Sequence, residues 1–201
     1  YMARRNAGTS KEATLIISWL ETQQEAAAIQ FRVSNGIAAQ TKSSPDLTVY
    51  RGLLREVAKQ STLFLTRFQK HPSYGHVLYI RAKANREVGD TQNAIQDFKT
   101  IMDKFPSDAD VSLAGLALCD LLTSAKDYNQ AKIYLLKMSK NPKDSVYPVA
   151  LGRLAWIHYY QNDIPTALKY LHAQIWFYRY RVADSRTVQV ERDKAAQTAA
   201  Q

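Results

Sequence analysis

Histidine and cysteine are the side chains here that could act as metal ligands or nucleophiles. His71, His76, His158 and His172 are scattered along the chain, and no His/Cys cluster has the spacing of a metal site. We therefore expect surface or helix-end roles for the histidines. Cys119 is the only cysteine, it falls on the predicted buried face of a helix, and no base stands beside it in sequence. It is better explained as a small core residue than as a nucleophile.

Other catalytic motifs are also missing from the sequence. There is no glycine-rich phosphate loop, no GxSxG and no pair of carboxylates in an apolar context. Gly115 and Gly152 fall inside predicted helices, where the missing side chain serves close packing. These patterns predict no catalytic residue, no metal and no cofactor.

The composition is that of a helical globular protein. Hydrophobic residues make up 46% and charged residues 22%, both ordinary values, while seven glycines and six prolines are few for a turn-rich β fold. The net charge of +9 is compatible with nucleic acid, anionic lipid or an acidic protein. Because no Lys/Arg run exceeds two residues, we interpret the charge as solvation and rank a nucleic-acid partner last.

No apolar run approaches the ~18 residues of a membrane span. The single cysteine excludes an intrachain disulfide and leaves the compartment open. The first residue is Tyr1 rather than Met, so we expect the chain to be a segment of something longer.

Apolar periodicity and breaker residues predict helices throughout. A capping box at Thr9 opens a long helix to about Val33, which Asn35-Gly36 ends. Ser44 caps a second long helix to about Lys70. Shorter helices then follow in three pairs: 73–88 with 91–104, 107–124 with 127–140, and 146–161 with a helix from 164 onward.

An internal repeat links these pairs. The alanines Ala94, Ala131 and Ala167 are 37 and 36 residues apart. The larger residues Phe98, Leu135 and Leu171 keep the same intervals. This period with two helices per repeat is typical of a helical solenoid. The small residue lets two helices approach, and the large residue four positions on fills the seam.

The stretch Gly89–Pro106 carries the clearest form of the repeat and resembles a tetratricopeptide repeat. The residues that match the family's pattern at its spacings are Ala82, Gly89, Ala94, Phe98 and Pro106. The second repeat keeps Ala131 but has Cys119 at the small first-helix position, and the third keeps Ala155 and Ala167. The resemblance covers about residues 73–180.

The resemblance implies an all-α, tetratricopeptide-like helical-hairpin solenoid with a longer N-terminal helical pair and an extended C-terminal helix. We predict an N-terminal hairpin packing on the solenoid over 1–72, three helix pairs over 73–182, and a polar helix extension or tail over 183–201. Whether the first two helices are a true repeat stays open, because Gln60 stands where the family has alanine.

In this family the first helix of each repeat lines a concave groove. Carried over to this sequence, the groove positions are His76, Tyr79, Lys83 and Arg86, then Leu116, Asp120 and Thr123, then Trp156, Tyr159 and Tyr160. Such a groove, basic at one end and aromatic at the other, suits a peptide or helix with an acidic end and an apolar end. The alternative is a solvated helix face with no ligand.

The run from Ile175 to Arg181 is the densest aromatic and basic stretch. At helical spacing, Ile175, Tyr178 and Val182 are expected to close the last repeat. Trp176 and Tyr180 then face outward as a C-terminal surface patch, toward a partner or another copy. Stacking on single-stranded bases ranks third.

These features together predict a non-catalytic scaffold or adaptor for protein–protein interaction. The alternatives are a homo-oligomeric structural component, or a tetratricopeptide-like interaction domain of a larger enzyme.

Overall fold

A computed structural model describes residues 10–180, apart from the side chain of Tyr180. This part of the chain contains eight α-helices and no strand, as the all-α prediction requires. In chain order they are α1 (Ser10–Thr41), α2 (Thr48–Arg67), α3 (Tyr74–Val88), α4 (Thr91–Lys104), α5 (Val111–Ser124), α6 (Tyr128–Met138), α7 (Tyr147–Tyr160) and α8 (Ile164–Tyr180). None of these helices combines the length and hydropathy needed to span a bilayer.

The contacts divide the chain within α5, into a first unit of residues 1–121 and a second unit of residues 122–201. In the first unit α2 packs against α1 and α3, and α3 packs against α4. In the second unit α7 packs against α6 and α8. Within each unit, most of these contacts join helices that are neighbours in sequence. The predicted segments 1–72, 73–182 and 183–201 stay predictions.

The repeated small and large residues belong to the core of each unit, except Leu171, which is 37% exposed. In the first unit Ala82, Ala94 and Phe98 are fully buried, and in the second unit Ala131 and Leu135 are fully buried too. The alanines bring the paired helices close, and the larger side chains fill the space that this leaves.

Each repeat turns between its two helices through a left-handed residue followed by an aspartate. The left-handed residues are Gly89 (φ 90°), Lys126 (φ 61°) and Asn162 (φ 62°). The aspartates Asp90, Asp127 and Asp163 then cap the next helix, each accepting a backbone N–H three residues on. The predicted caps at Asp90 and Asp127 are confirmed.

A buried ion pair adds a contact that the periodicity does not reveal. Asp97 of α4 is only 4% exposed. Arg81 of α3 donates to its carboxylate from Nε at 2.8 Å and from NH2 at 2.6 Å. This two-pronged pairing holds the two helices in register.

The N-terminal helices differ from their predicted bounds. The predicted stop at Asn35-Gly36 is wrong, because α1 continues to Thr41. Its last turns are held by Ser34, whose Oγ donates to the carbonyl of Asp46 at 2.6 Å. The helix ends instead at Lys42, which has φ 52°. Thr9 and its capping box lie outside the described residues.

The second helix begins later and ends earlier than predicted. It starts at Thr48 rather than at Pro45 behind the predicted cap Ser44, because Asp46 forms a turn in which its Oδ1 accepts from the backbone N–H of Thr48 at 2.9 Å. It ends at Arg67 rather than Lys70.

The last helix also packs differently from the prediction. Ile175 and Tyr178 are exposed rather than closing the final repeat. Phe177 packs on Tyr147 instead, at 5.2 Å between ring centroids, and Gln174 Nε2 donates to the carbonyl of Pro148 at 2.8 Å. Val182 and residues 183–201 lie outside the described part.

The backbone geometry predicts opposite effects for two glycine replacements. Gly89→Ala should lower the free energy of unfolding by about 1 kcal/mol, because φ is positive there. Gly52→Ala should raise it by about 0.5 kcal/mol, because this position lies inside α2 with open space around it. Urea unfolding followed by circular dichroism measures both, and equal shifts of the same sign would contradict the geometry.

Candidate protein-binding site

The four predicted groove residues of the first repeat lie along one side of α3. His76, Tyr79, Lys83 and Arg86 are all half-buried. They are spaced three or four residues apart, so the helix aligns them. Contacts of this row with α1 show that it faces the long N-terminal helix as well as solvent.

His76 bridges two carboxylates. Its Nδ1 lies 2.6 Å from Oδ2 of Asp110, and its Nε2 lies 3.1 Å from Oε1 of Glu21 on α1. Burial alone lowers the pKa of His76, but hydrogen bonds and charges from Asp110 and Glu21 outweigh burial and raise this pKa above its ordinary 6.5. His76 is therefore a structural link between α1, α3 and the start of α5.

Tyr79 and Lys83 form the middle of the row. Lys83 Nζ lies 5.4 Å from the centre of the Tyr79 ring, within cation–π range. The Tyr79 ring also packs on Phe98, at 6.1 Å between centroids. Burial, and then the charge of Asp110, raise the pKa of Tyr79. The uncharged Tyr79 side chain thus contacts the ammonium group of Lys83 on one side.

A cleft of about 430 Å³ opens beside Lys83, between α1, α2 and α3. Its floor consists of Ala27, Leu54 and Ala84, which are all buried. Ala28 and Phe31 of α1 form one wall. The floor is apolar because all three helices turn small or aliphatic side chains toward it.

Polar groups surround this floor. Tyr50 Oη donates to Oε2 of Glu87 at 2.9 Å, and Arg86 donates to Oε1 of the same carboxylate from Nε and NH2. Burial and the bond to Glu87 raise the pKa of Tyr50 to about 12. The charge of Arg86 is therefore balanced by Glu87.

Two other cations at the cleft have no such partner. Neither Arg32 nor Lys83 forms an ion pair with a described residue. Both line the cleft. They leave a positive edge above an apolar floor.

The predicted second-repeat positions are not part of this cleft. Leu116 and Thr123 are half-buried on α5, Asp120 is exposed, and none of the three is among the residues that line it. Leu116 and Asp120 belong to the first unit and Thr123 to the second.

The predicted aromatic positions form a cluster in the second unit. Trp156, Tyr159 and Tyr160 of α7 are each more than half exposed. Their rings lie 5.8–6.0 Å apart between centroids, and Tyr160 also stacks on Tyr128 at 6.3 Å. Trp156 and Tyr159 line a second, largely apolar cleft of about 410 Å³ between α7 and α8.

The C-terminal surface patch is described only in part. Trp176 is exposed on α8, whereas the side chain of Tyr180 lies outside the described residues. Trp176 is not among the residues lining the cleft between α7 and α8.

Sequence reasoning missed Arg32, Tyr50 and Glu87. Arg32 and Tyr50 belong to the two long helices, which do not follow the repeat pattern. The contact between Phe31 and Tyr50, at 5.1 Å between ring centroids, shows that these helices build one wall of the cleft. Within residues 10–180, no group of three or more His, Cys, Asp or Glu side chains could hold a metal ion.

His76 predicts a pH-dependent contribution to stability. Its pKa is raised in the folded chain, so its charged form stabilises the first unit below about pH 6.5, and this contribution is lost as the pH rises through the folded-state pKa. His76→Gln should therefore cost more stability at about pH 5.5 than at about pH 8.5. Urea midpoints at both values measure this, and His172→Gln is the control at an exposed position. Equal losses of stability at both pH values would show that the charge of His76 does not contribute to stability.

Comparisons with known proteins agree with this architecture. No curated protein shows significant sequence similarity to the chain. BtubC (BKLC) from P. vanneervenii is similar in structure, with a TM-score of 0.53 and 13% identity over 80% of this chain and 74% of that one. A protein with nearly identical TPR-like repeats of kinesin light chain type from Podosopora anserina has a TM-score of 0.52 and 15% identity, over 87% of this chain and 96% of its own.

These structural neighbours establish similarity of fold alone. The sequence also matches a family model, described as a tetratricopeptide repeat-like domain, over residues 67–187. This match spans more than half of the chain and includes all three repeats. The chain therefore belongs to the family of tetratricopeptide repeat-like domains.

Proposed function

We propose that this protein is a non-catalytic scaffold that binds a segment of another protein in the cleft between α1, α2 and α3. Repeat folds of this kind typically serve as surfaces for protein interaction. The observation that carries the proposal is the pairing of an apolar floor with two cations, Arg32 and Lys83, that no described carboxylate neutralises.

The floor determines the apolar part of the ligand. Ala27 and Ala84 carry only methyl groups, so a large side chain from a partner has room above them. Burying one aliphatic or aromatic side chain there contributes about 1.5–3 kcal/mol. Phe31 and Leu54 supply the flanking apolar contacts.

The cations determine the polar part. An Asp or Glu side chain, or a terminal carboxylate, next to the apolar residue would reach Lys83 or Arg32. Glu87 forms no ion pair with either cation, and its own charge is balanced by Arg86. The ligand class is therefore a peptide segment with an acidic residue beside an apolar one.

The proposed binding site retains only part of the groove that the sequence predicts. Lys83 remains the central contact, while Arg86 and His76 become structural. The aromatic cluster on α7 belongs to a different surface of the second unit.

Peptide selection tests the proposal. Random linear peptides selected on the wild-type chain should be enriched in sequences that place a carboxylate beside a large apolar residue. Lys83→Glu should weaken the selected peptides at least about tenfold, because an attraction becomes a repulsion. Lys104→Glu, at an exposed position of α4, is the matched control and should change affinity less than about twofold.

A second variant tests the floor without changing charge. Ala28→Phe adds a ring at an exposed wall position of the cleft. It should exclude the apolar side chain while leaving the far-ultraviolet circular dichroism unchanged. If the selected peptides bind Lys83→Glu and Ala28→Phe as tightly as wild type, the cleft is not the binding site.

A further inference from the structure

The last described helix carries an apolar stripe on its solvent side. Its members are Ile164, Leu168, Leu171, Ile175 and Tyr178. They are spaced 4, 3, 4 and 3 residues apart, which is the spacing of a coiled-coil seam. All five are between 37% and 59% exposed. A seam of this spacing suits the packing of another helix along it.

Comparison with the preceding repeat shows what such a helix would do. Leu135 of α6 occupies the repeat position of Leu171 and is fully buried. In the second unit α7 packs against α6. No described helix follows α8, and Leu171 is 37% exposed. The site that receives a helix in one repeat is therefore open in the next.

The cleft between α7 and α8 marks where the helix would lie. Its walls are Trp156 and Tyr159 on one side and Ile164, Leu168 and Leu171 on the other. The cleft has a volume of about 410 Å³ and lies beside the first three residues of the stripe. The centre of the docking surface is thus close to Leu168.

We propose that this surface binds α8 of a second copy of the chain, in antiparallel orientation, to form a symmetric dimer. The two α8 helices would lie between the two α7 helices as a four-helix arrangement. Twofold symmetric pairing through one self-complementary surface is the commonest form of protein oligomer.

The available area matches this occupant. The five residues of the stripe and the three aromatic residues of the α7 cluster, each between 37% and 59% exposed, offer roughly 800 Å² per copy, the amount that a standard-size interface buries on each partner. A short peptide would cover only part of this surface, whereas an equivalent pair of helices covers it along its length.

The charges favour the antiparallel orientation. The helix contains no acidic residue, and its cations Lys169 and Arg179 lie off the seam. In a parallel pair the two Arg179 side chains would lie in the same layer, and like ends of the helix dipoles would meet. Antiparallel pairing separates the two Arg179 side chains and the like ends of the helices. It also places Leu168 of one copy against Leu171 of the other, because the a positions of one helix face the d positions of its partner in an antiparallel pair.

Light scattering of the full chain tests the dimer. The wild type should show twice the mass of one chain at about 100 µM, and Leu168→Glu should show one chain because it places a charge in the seam. Leu113→Glu, at a similarly exposed leucine of the first unit, is the matched control and should stay dimeric. A monomeric wild type, or a dimeric Leu168→Glu chain, would overturn the proposal.

Cysteine cross-linking tests orientation and occupant with a milder change. The background is Cys119→Ala, since the repeat equivalents of Cys119 are alanines. Mixing Leu168→Cys chains with Leu171→Cys chains should give a disulfide-linked dimer on oxidation, while each chain alone should give at most a tenth as much. Equal cross-linking of each chain alone would indicate a parallel pair, and no cross-linking in the mixture would indicate that residues 181–201 or another protein occupies the site. Either result would overturn the proposal.

The two sites are distinguishable by these same variants. Leu168→Glu should still bind the selected peptides, and Lys83→Glu should still be dimeric. A chain in which both properties are lost together would contradict separate surfaces.

Discussion

The close approach of paired helices at their alanines is the constraint on which the rest of the structure depends. Ala82, Ala94 and Phe98 are all fully buried in the hairpin in which α3 packs on α4. The bidentate pair of Arg81 and Asp97 then fixes how far α3 and α4 can slide. The same helix α3 also packs against α1 and α2. Its position therefore places Lys83 beside these two helices and determines the shape of the cleft.

Much of the fold was predictable because the repeat is a local pattern. A turn with a left-handed residue, an aspartate cap and an alanine four residues on recurs at Gly89, Lys126 and Asn162, so three of the helix pairs and their caps follow from spacing alone. The N-terminal bounds did not follow. The end of α1 depends on a bond between Ser34 and Asp46, twelve residues apart, and such tertiary contacts leave no periodic signal.

Of the residues that line the candidate cleft, only Lys83 was named as a binding residue from the sequence. Helical spacing aligned Lys83 with Arg86 on one side of α3, yet the partner that neutralises Arg86 is itself held by Tyr50 of another helix. Whether a basic residue is free or paired depends on contacts across the fold. The exposed stripe on α8 was not predicted for a related reason. Ile175 and Tyr178 have the spacing of an apolar helix face, and this spacing alone does not distinguish a face that packs within the chain from one that is exposed.

We propose that recognition occurs at the first-unit cleft. Hydrogen–deuterium exchange of the full chain with and without a selected acidic–apolar peptide measures this most directly. Peptide binding in the cleft predicts slower exchange confined to the segments around residues 24–32 of α1, 50–54 of α2 and 83–87 of α3, with α7 and α8 unchanged. Slower exchange confined to α7 and α8, with the first unit unchanged, would contradict it.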